Sequence, residues 1–421
     1  MTPTRAIGRS TPGAGLLPCS PTASEHQRQG STPVPDPRLR RVRHRSRHSW
    51  KGNDVHELVA APLGPRRLVL RQGSGKALAL PAARFEELRT SAPETVPTWL
   101  ADAVRAQWSV DLTGRRMNEV LLLREAGPYE FSRATWELNL GCDYDCVMCY
   151  LGEKRFEGLD MDGKRKLLAV LRDAGVIWLQ MTGGEPLIDP DFPEAYRLAY
   201  EMGMQLEVLS NGSRLYKDHI LNLLRTYPPT RLTVSMYGAT AKTYDAVTRN
   251  RGAFARFSRG LRMAVDAGLN LDLSLIVVRA NAHELDDMRA WARSLALKFR
   301  EYANISPTIH GGAEPLPSQS PQYLTNREPF TGCPAGRTFF HADPFGRASI
   351  CKVGRDPNID LITEGVDGLV RLGSIAESLM LRTGGCSGCT LSGTCRVCRP
   401  MAKVFQAAKA PQQNYCQHGE R

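Results

Sequence analysis

From Arg133 onward the chain alternates short apolar runs with longer stretches in which apolar residues recur every three or four positions. The short runs predict strands at 133–138, 176–181, 205–209, 231–235, 271–278 and about 301–309. The 3.6-residue pattern predicts helices over Lys164 to Ala174, Pro193 to Met202, Asp218 to Tyr227, Phe254 to Ala267 and Glu284 to Leu297. Strand and helix in strict alternation with short loops imply a parallel sheet of βα units. Six of them fit a partial (β/α)6 barrel of the TIM type over 129–312, an α/β fold whose chemistry gathers at the carboxyl ends of the strands.

The pattern differs on either side. Residues 51–128 predict a small N-terminal α+β domain: Arg67 to Leu80 reads as two strands around a Gly-Ser-Gly turn, Ala82 to Leu88 and Pro97 to Trp108 as helices, and Met117 to Leu123 as a third strand. Beyond a Pro-rich passage, Glu314 to Pro321, residues 313–421 form a cysteine-rich tail. Residues 1–50 contain seven Pro and no aromatic before Trp50, the composition of a disordered, solvated arm.

Charge sharpens this division. The chain has 421 residues and a formal net charge of +12, of which a surplus of seven lies in residues 1–50, with Arg38, Arg40, Arg41, Arg43, Arg45 and Arg47 in one run. That run would suit nucleic acid or an acidic partner, but a solvated arm is the favoured reading. No stretch of about eighteen apolar residues or secretory signal is present, which predicts no membrane span and a cytoplasmic protein. Ten of eleven cysteines fall into two groups with metal-ligand spacing, which implies a reducing compartment; Cys19, in the arm, stands apart.

The first group is Cys142, Cys146 and Cys149, spaced C-x3-C-x2-C in a loop directly after the first strand. Three thiolates can hold three irons of a cubane and leave the fourth open to a chelating small molecule. A zinc knuckle is the competing reading, but zinc sites usually close with a fourth ligand and none lies nearby. The loop, with Tyr150 after the third cysteine, resembles the signature of the radical S-adenosylmethionine (SAM) enzymes. That resemblance implies a SAM-binding 4Fe-4S cluster. It also identifies Thr182-Gly183-Gly184-Glu185-Pro186, at the end of the second strand, with the family motif that binds the SAM amino group. By the same resemblance Ser235 would meet the ribose hydroxyls, and Arg249, in Tyr244-Asp-Ala-Val-Thr-Arg249, would pair with the SAM carboxylate. Asn211 reads as a turn residue. Asn281 matches a recurring family position without a derivable role.

The second group is Cys333, Cys351, Cys386, Cys389, Cys395, Cys398 and Cys416. Their order resembles the SPASM domain, a tail with two auxiliary clusters found in radical SAM enzymes that act mostly on peptides. The resemblance implies three 4Fe-4S clusters in all. Two departures stand out: Cys395 and Cys398 are one residue closer than usual, and no second cysteine soon follows Cys333. The family's topology would give Cys386, Cys389, Cys395 and Cys416 one full cluster and leave Cys333, Cys351 and Cys398 for a cluster with an open iron, with His341 and Asp343 as alternative fourth ligands. One or two zinc sites are the competing reading of the tail.

The resemblance implies reductive cleavage of SAM to a 5'-deoxyadenosyl radical and oxidative modification of a ribosomally made precursor peptide, by crosslinking, thioether formation or epimerisation. An external donor such as flavodoxin or ferredoxin would supply the electron. Residues 51–128 loosely resemble the small domains that grip a leader peptide, with a structural extension that caps the barrel as the competing reading. Sulfatase maturation on a protein, or dehydrogenation of an amino sugar or another small molecule, is the alternative. No catalytic side chain at the substrate is readable from the sequence.

Overall fold

The computed structural model describes residues 55–324, 329–381, 386–390 and 394–416, so the arginine-rich arm and Cys19 lie outside the described residues. Strands β1 (Leu58–Leu63), β2 (Arg66–Arg71) and β3 (Ala77–Leu80) form an antiparallel meander, and β4 (Leu121–Leu123) adds to β1 in parallel. Helices α1 (Ala82–Ser91) and α2 (Thr98–Trp108) cover this sheet, with Phe85, Leu88, Leu100 and Val104 packed on Leu58 and Val69. The strand expected over Met117 to Leu123 is extended only from Leu121. Its first residues form a helical turn, α3 (Met117–Val120), because Met117 and Val120, three apart, both point into that core while Asn118 and Glu119 stay exposed.

This unit is docked on the rest of the chain. Ala61, Leu68 and Leu70 cluster with Ile177 and Trp178, and Gln72 Nε2 donates to the Tyr200 carbonyl at 2.7 Å. It therefore sits at the amino-terminal end of the following sheet, the end opposite the strand termini that carry the sequence motifs.

That sheet contains β5 (Arg133–Glu137), β6 (Trp178–Thr182), β7 (Gln205–Ser210), β8 (Arg231–Met236), β9 (Leu271–Ile276) and β10 (Lys298–Tyr302), paired in parallel in chain order. Parallel neighbours need long crossovers. These are α4 (Met161–Asp173), α5 (Phe192–Glu201), α6 (Asp218–Thr226), α7 (Ala241–Thr248) with α8 (Ala253–Asp266), and α9 (Leu285–Ser294). The sixth strand thus lies earlier than the 301–309 read from the sequence.

Side chains alternate across this sheet. Leu179, Met181, Leu206, Val208, Leu232, Val234 and Leu275 belong to the main core with residues of the crossover helices. The intervening residues are polar, Gln180, Thr182, Thr233, Ser235, Asp272, Ser274, Lys298 and Arg300, and all line one cavity of about 800 Å³. One dry face and one wet face explain why these parallel strands alternate where sheets covered on both sides are continuously apolar.

The tail completes the same sheet. Strand β11 (Phe339–Ala342) pairs in parallel with β5, and β12 (Arg347–Ser349) and β13 (Ile359–Asp360) extend it to nine strands. Helices α10 (Leu361–Glu364), α11 (Leu372–Leu379) and α12 (Arg399–Ala407) follow. Hydrogen bonding therefore runs straight across the Pro-rich passage at 314–321. No helix among the described residues is long and apolar enough to cross a membrane.

Candidate active site

The cysteine loop is pinned at both ends by backbone. Leu138 N donates to Thr182 O at 2.9 Å, Gly184 N to Asn139 O at 2.9 Å and Glu185 N to Gly141 O at 2.8 Å. On the far side, Asp145 N and Val147 N donate to the Thr248 and Val247 carbonyls at the end of α7. A Cβ on Gly184 would lie 2.0 Å from the Gly141 carbonyl oxygen, and one on Gly183, whose φ is +147°, 2.5 Å from that of Asn139. The two glycines are thus required first by contact between two backbones.

Held in this way, Cys142, Cys146 and Cys149 line the cavity together with Gly183, Gly184, Asn211 and Ser235. Burial pushes the Cys142 thiol up to about 12, and burial with the two neighbouring thiols pushes Cys146 well above its ordinary value. A bound metal would hold such thiols as thiolates. The Cys142 sulfur already accepts from Tyr144 N at 3.4 Å and from Asn211 Nδ2 at 3.6 Å, donors that suit a charged sulfur. Cys142, Cys146 and Cys149 beside a glycine edge fit a cubane with one open iron.

The other expected SAM residues divide. Ser235 faces the cavity. Glu185 is fully buried behind it: its carboxyl accepts from Leu187 N (3.0 Å), Ser210 Oγ (2.7 Å) and Asn211 N (2.6 Å), tying the end of β6 to that of β7. Burial outweighs these bonds and raises its carboxyl to about 8. Arg249 stands at the end of α7 with φ +49°, outside the cavity lining, its exposed guanidinium 3.3 Å from the Asp145 carboxylate. Asn281 is buried and structural, its amide donating to the Tyr237 and Ile276 carbonyls and so joining the ends of β8 and β9. Asn211 makes the expected turn, accepting from Ser213 N at 2.8 Å, and also reaches Cys142, a contact no residue spacing announces.

A buried polar cluster links the loop to the tail. Glu137, at the end of β5, accepts from Arg355 Nη2 at 2.8 and 2.9 Å and from Tyr150 Oη at 3.4 Å, and His341 Nε2 lies 3.4 Å away. Burial opposes ionisation of Glu137, but His341 and Arg355 outweigh it and hold the carboxyl down to about 2. Lys352 places its ammonium 4.6 Å from the Tyr150 ring centre and lines the cavity, as does Val353. Sequence reasoning missed both Lys352 and Arg355, whose only signal is their position just after Cys351.

The tail cysteines sit in two neighbouring places. Cys333 and the buried Cys351 pack on the main core, and Cys351 Sγ accepts from Gly354 N at 3.2 Å. Cys386, Cys395 and Cys398 pack around Val397, Met401 and Phe405, with Gln406 Nε2 donating to Cys386 Sγ at 3.3 Å. Val353 packs against both of these hydrophobic clusters. Cys389 and Cys416 lie nearby in sequence, with Cys389 N donating to Cys386 O at 3.3 Å. His341 faces Glu137, and Asp343 Oδ1 accepts from Phe345 N and Arg347 N in the β11–β12 turn. Among the described residues no three His, Cys, Asp or Glu side chains converge as ligands of a single ion. The cysteines of a cubane bind different irons and need no such convergence.

Residues 136–292 match the Radical SAM superfamily. The family implies a 4Fe-4S cluster and SAM. Among curated relatives, the antilisterial bacteriocin subtilosin biosynthesis protein AlbA of Bacillus subtilis is 28% identical over 40% of this chain and 38% of its own. The mycofactocin maturase MftC of Mycobacterium ulcerans is 27% identical over 52% of this chain and 63% of its own. An AdoMet-dependent heme synthase of Methanosarcina barkeri is 29% identical over 42% and 51%. The matches thus span between about a third and two thirds of these relatives. In fold the chain is similar to Streptococcus suis SuiB, solved bound to the precursor peptide SuiA, with a TM-score of 0.52, 13% identity, and coverage of 86% of this chain and 98% of that one.

Proposed function

We propose that this protein is a radical SAM/SPASM peptide maturase, built on a partial (β/α)6 barrel, that cleaves SAM reductively and oxidatively modifies a ribosomally made precursor peptide. The observation that carries this reading is a single cavity lined at once by Cys142, Cys146 and Cys149, by the Gly183-Gly184 edge and by Lys352 and Val353 of the cysteine-rich tail. Cys142, Cys146 and Cys149 would hold an iron-sulfur cluster, and with SAM bound it would supply the radical chemistry that removes a hydrogen atom from the substrate. The chain's own residues do the rest. The glycine edge and Ser235 orient SAM, and Glu185 and Asn211 hold the ends of β6 and β7 in place around it. With the peptide filling its open side, the cavity wall would keep water from the reacting atoms.

In this reading the tail holds two auxiliary clusters, one on Cys386, Cys389, Cys395 and Cys416 and the other on Cys333, Cys351 and Cys398. Cys351 directly precedes Lys352 and Val353, and Cys398 stands a few residues before Met401, all of which line the cavity; clusters held there would supply an acceptor for the electron released on forming product. Residues 51–128 bind the leader of the peptide, a flavodoxin or ferredoxin delivers the first electron, and the reaction takes place in the cytoplasm. The likeness to AlbA, MftC and SuiB supports a peptide substrate. The heme synthase match supports a second reading, the same chemistry on a small molecule.

Anaerobic reconstitution with iron and sulfide counting, alongside an assay for 5'-deoxyadenosine, tests the proposal. About twelve irons per chain with deoxyadenosine formed is the expected result. About four irons with zinc in the tail would remove the SPASM assignment and favour the small molecule.

A further inference from the structure

The cavity carries more positive charge than its cofactors would use. Lys154, Arg231, Lys298, Arg300 and Lys352 line it, against the single carboxylate of Asp272. Two of these cations are neutralised within the fold, Lys154 by Asp145 and Arg231 by Glu207. Among the described residues Lys298, Arg300 and Lys352 form no ion pair. SAM brings one net positive charge and a cubane on three thiolates about one negative, so the cofactors together leave this excess in place.

The register shows where the excess lies. Thr233, Asp272 and Lys298 are neighbours across β8, β9 and β10, and Ser235, Ser274 and Arg300 form the next rung toward the cysteine loop. Lys298 and Arg300 are on the edge strand β10, and both line the cavity while remaining exposed. The cavity therefore opens to solvent along β10, and anything entering there passes an unpaired guanidinium with Ser274 beside it on the next strand. An arginine in that setting can bind a carboxylate by two parallel hydrogen bonds.

We infer that Lys298 and Arg300 form a docking site for a carboxylate side chain of the peptide, so that the segment presented for modification carries Asp or Glu close to the residue that reacts. This rests on the peptide reading above. Ser235 and Arg300 stand on one rung two strands apart, about 10 Å at ordinary strand spacing, which corresponds to about three extended residues. The acidic residue thus falls within about three positions of the reacting one. Asp272, beside Lys298 in the register, disfavours a second carboxylate at the lower rung and selects a single one.

Binding of fluorescein-labelled Gly-Gly-Glu-Gly-Gly and Gly-Gly-Gln-Gly-Gly to the reconstituted full chain, read by anisotropy at low salt, tests this. The glutamate peptide is expected to bind about tenfold tighter than the glutamine peptide. Lys298→Gln/Arg300→Gln should erase the preference, whereas Lys166→Gln/Lys242→Gln, which removes two exposed cations elsewhere, should retain it. Equal loss in both double variants would reduce the effect to overall charge and overturn the site. Free glutarate competing as well as the peptide would overturn the peptide part of the inference. If wild-type protein forms deoxyadenosine but shows no glutamate preference, the inference fails and the radical SAM reading stands; if it forms none, that reading fails instead.

Discussion

Asn211, at the end of β7, donates its side-chain amide to the Cys142 sulfur at 3.6 Å and to Asp143 Oδ1 at 3.0 Å. Hydrogen bonds to a cluster's sulfurs favour its reduced, more negative state and so raise its potential. Asn211→Ala is therefore expected to lower the reduction potential of the cluster proposed on Cys142, Cys146 and Cys149 by about 40 mV, the one-electron equivalent of a hydrogen bond of about 1 kcal/mol. An EPR-monitored redox titration measures it, and an unchanged potential would remove Asn211 from the electronics of the site.

Gly184 and Gly373 make opposite predictions for the same substitution. A methyl group at Gly184 meets the Gly141 carbonyl at 2.0 Å with backbone on both sides, whereas one at Gly373, in α11, meets nothing within 4 Å. Gly184→Ala should cost about 3 kcal/mol or more and lower iron content on reconstitution. Gly373→Ala should be neutral or stabilising by up to about 1 kcal/mol. Thermal melts and iron analysis of the two variants side by side decide this.

The buried Glu137–Arg355 pair predicts a pH dependence. The Glu137 carboxyl is held down to about 2, below its ordinary 4.5, so its stabilising effect is complete above about pH 4.5 and disappears as pH falls from there toward 2. Glu137→Gln should cost about 3–5 kcal/mol at neutral pH, because it leaves a guanidinium without its partner, and should flatten the acid side of the stability profile. Urea unfolding midpoints of wild type and variant across that range provide the measurement.

Arg249 pairs with Asp145 in the open, with both side chains more than half exposed. Exposed pairs contribute little, so Arg249→Ala is expected to change stability by less than about 1 kcal/mol and SAM affinity by less than about twofold. A loss of tenfold or more in SAM binding, measured by calorimetry, would instead give Arg249 the carboxylate role that its sequence context implies.

Much of the central sheet was legible because each strand has one apolar face and each crossover helix an apolar stripe. Reading failed where one of those signals was absent. Lys298-Phe-Arg-Glu-Tyr302 hides a strand because its charged residues face an open cavity, while Glu301 pairs with Arg289 on α9. Strand β1 contains Pro62 and two alanines and carries little strand signal. Cysteine and glycine spacing pointed to the loop and strand end that the structure brings together at the cavity, since those residues carry their signal locally. The contacts of Asn211, Lys352 and Arg355 depend on which strands become neighbours, and sequence spacing does not encode that. The pairing of β11 with β5 is the clearest case.

That pairing also bears on how the molecule is made. Strand β5 emerges from the ribosome about two hundred residues before the strand that covers its outer edge. Until then the strand leading into the cysteine loop presents unsatisfied backbone to any passing chain, in a topology whose long-range contacts fold slowly. Completion of the sheet around the cysteine loop is thereby tied to synthesis of the tail. A nascent chain halted before Phe339 would carry every residue of the loop and still lack the strand that closes its sheet.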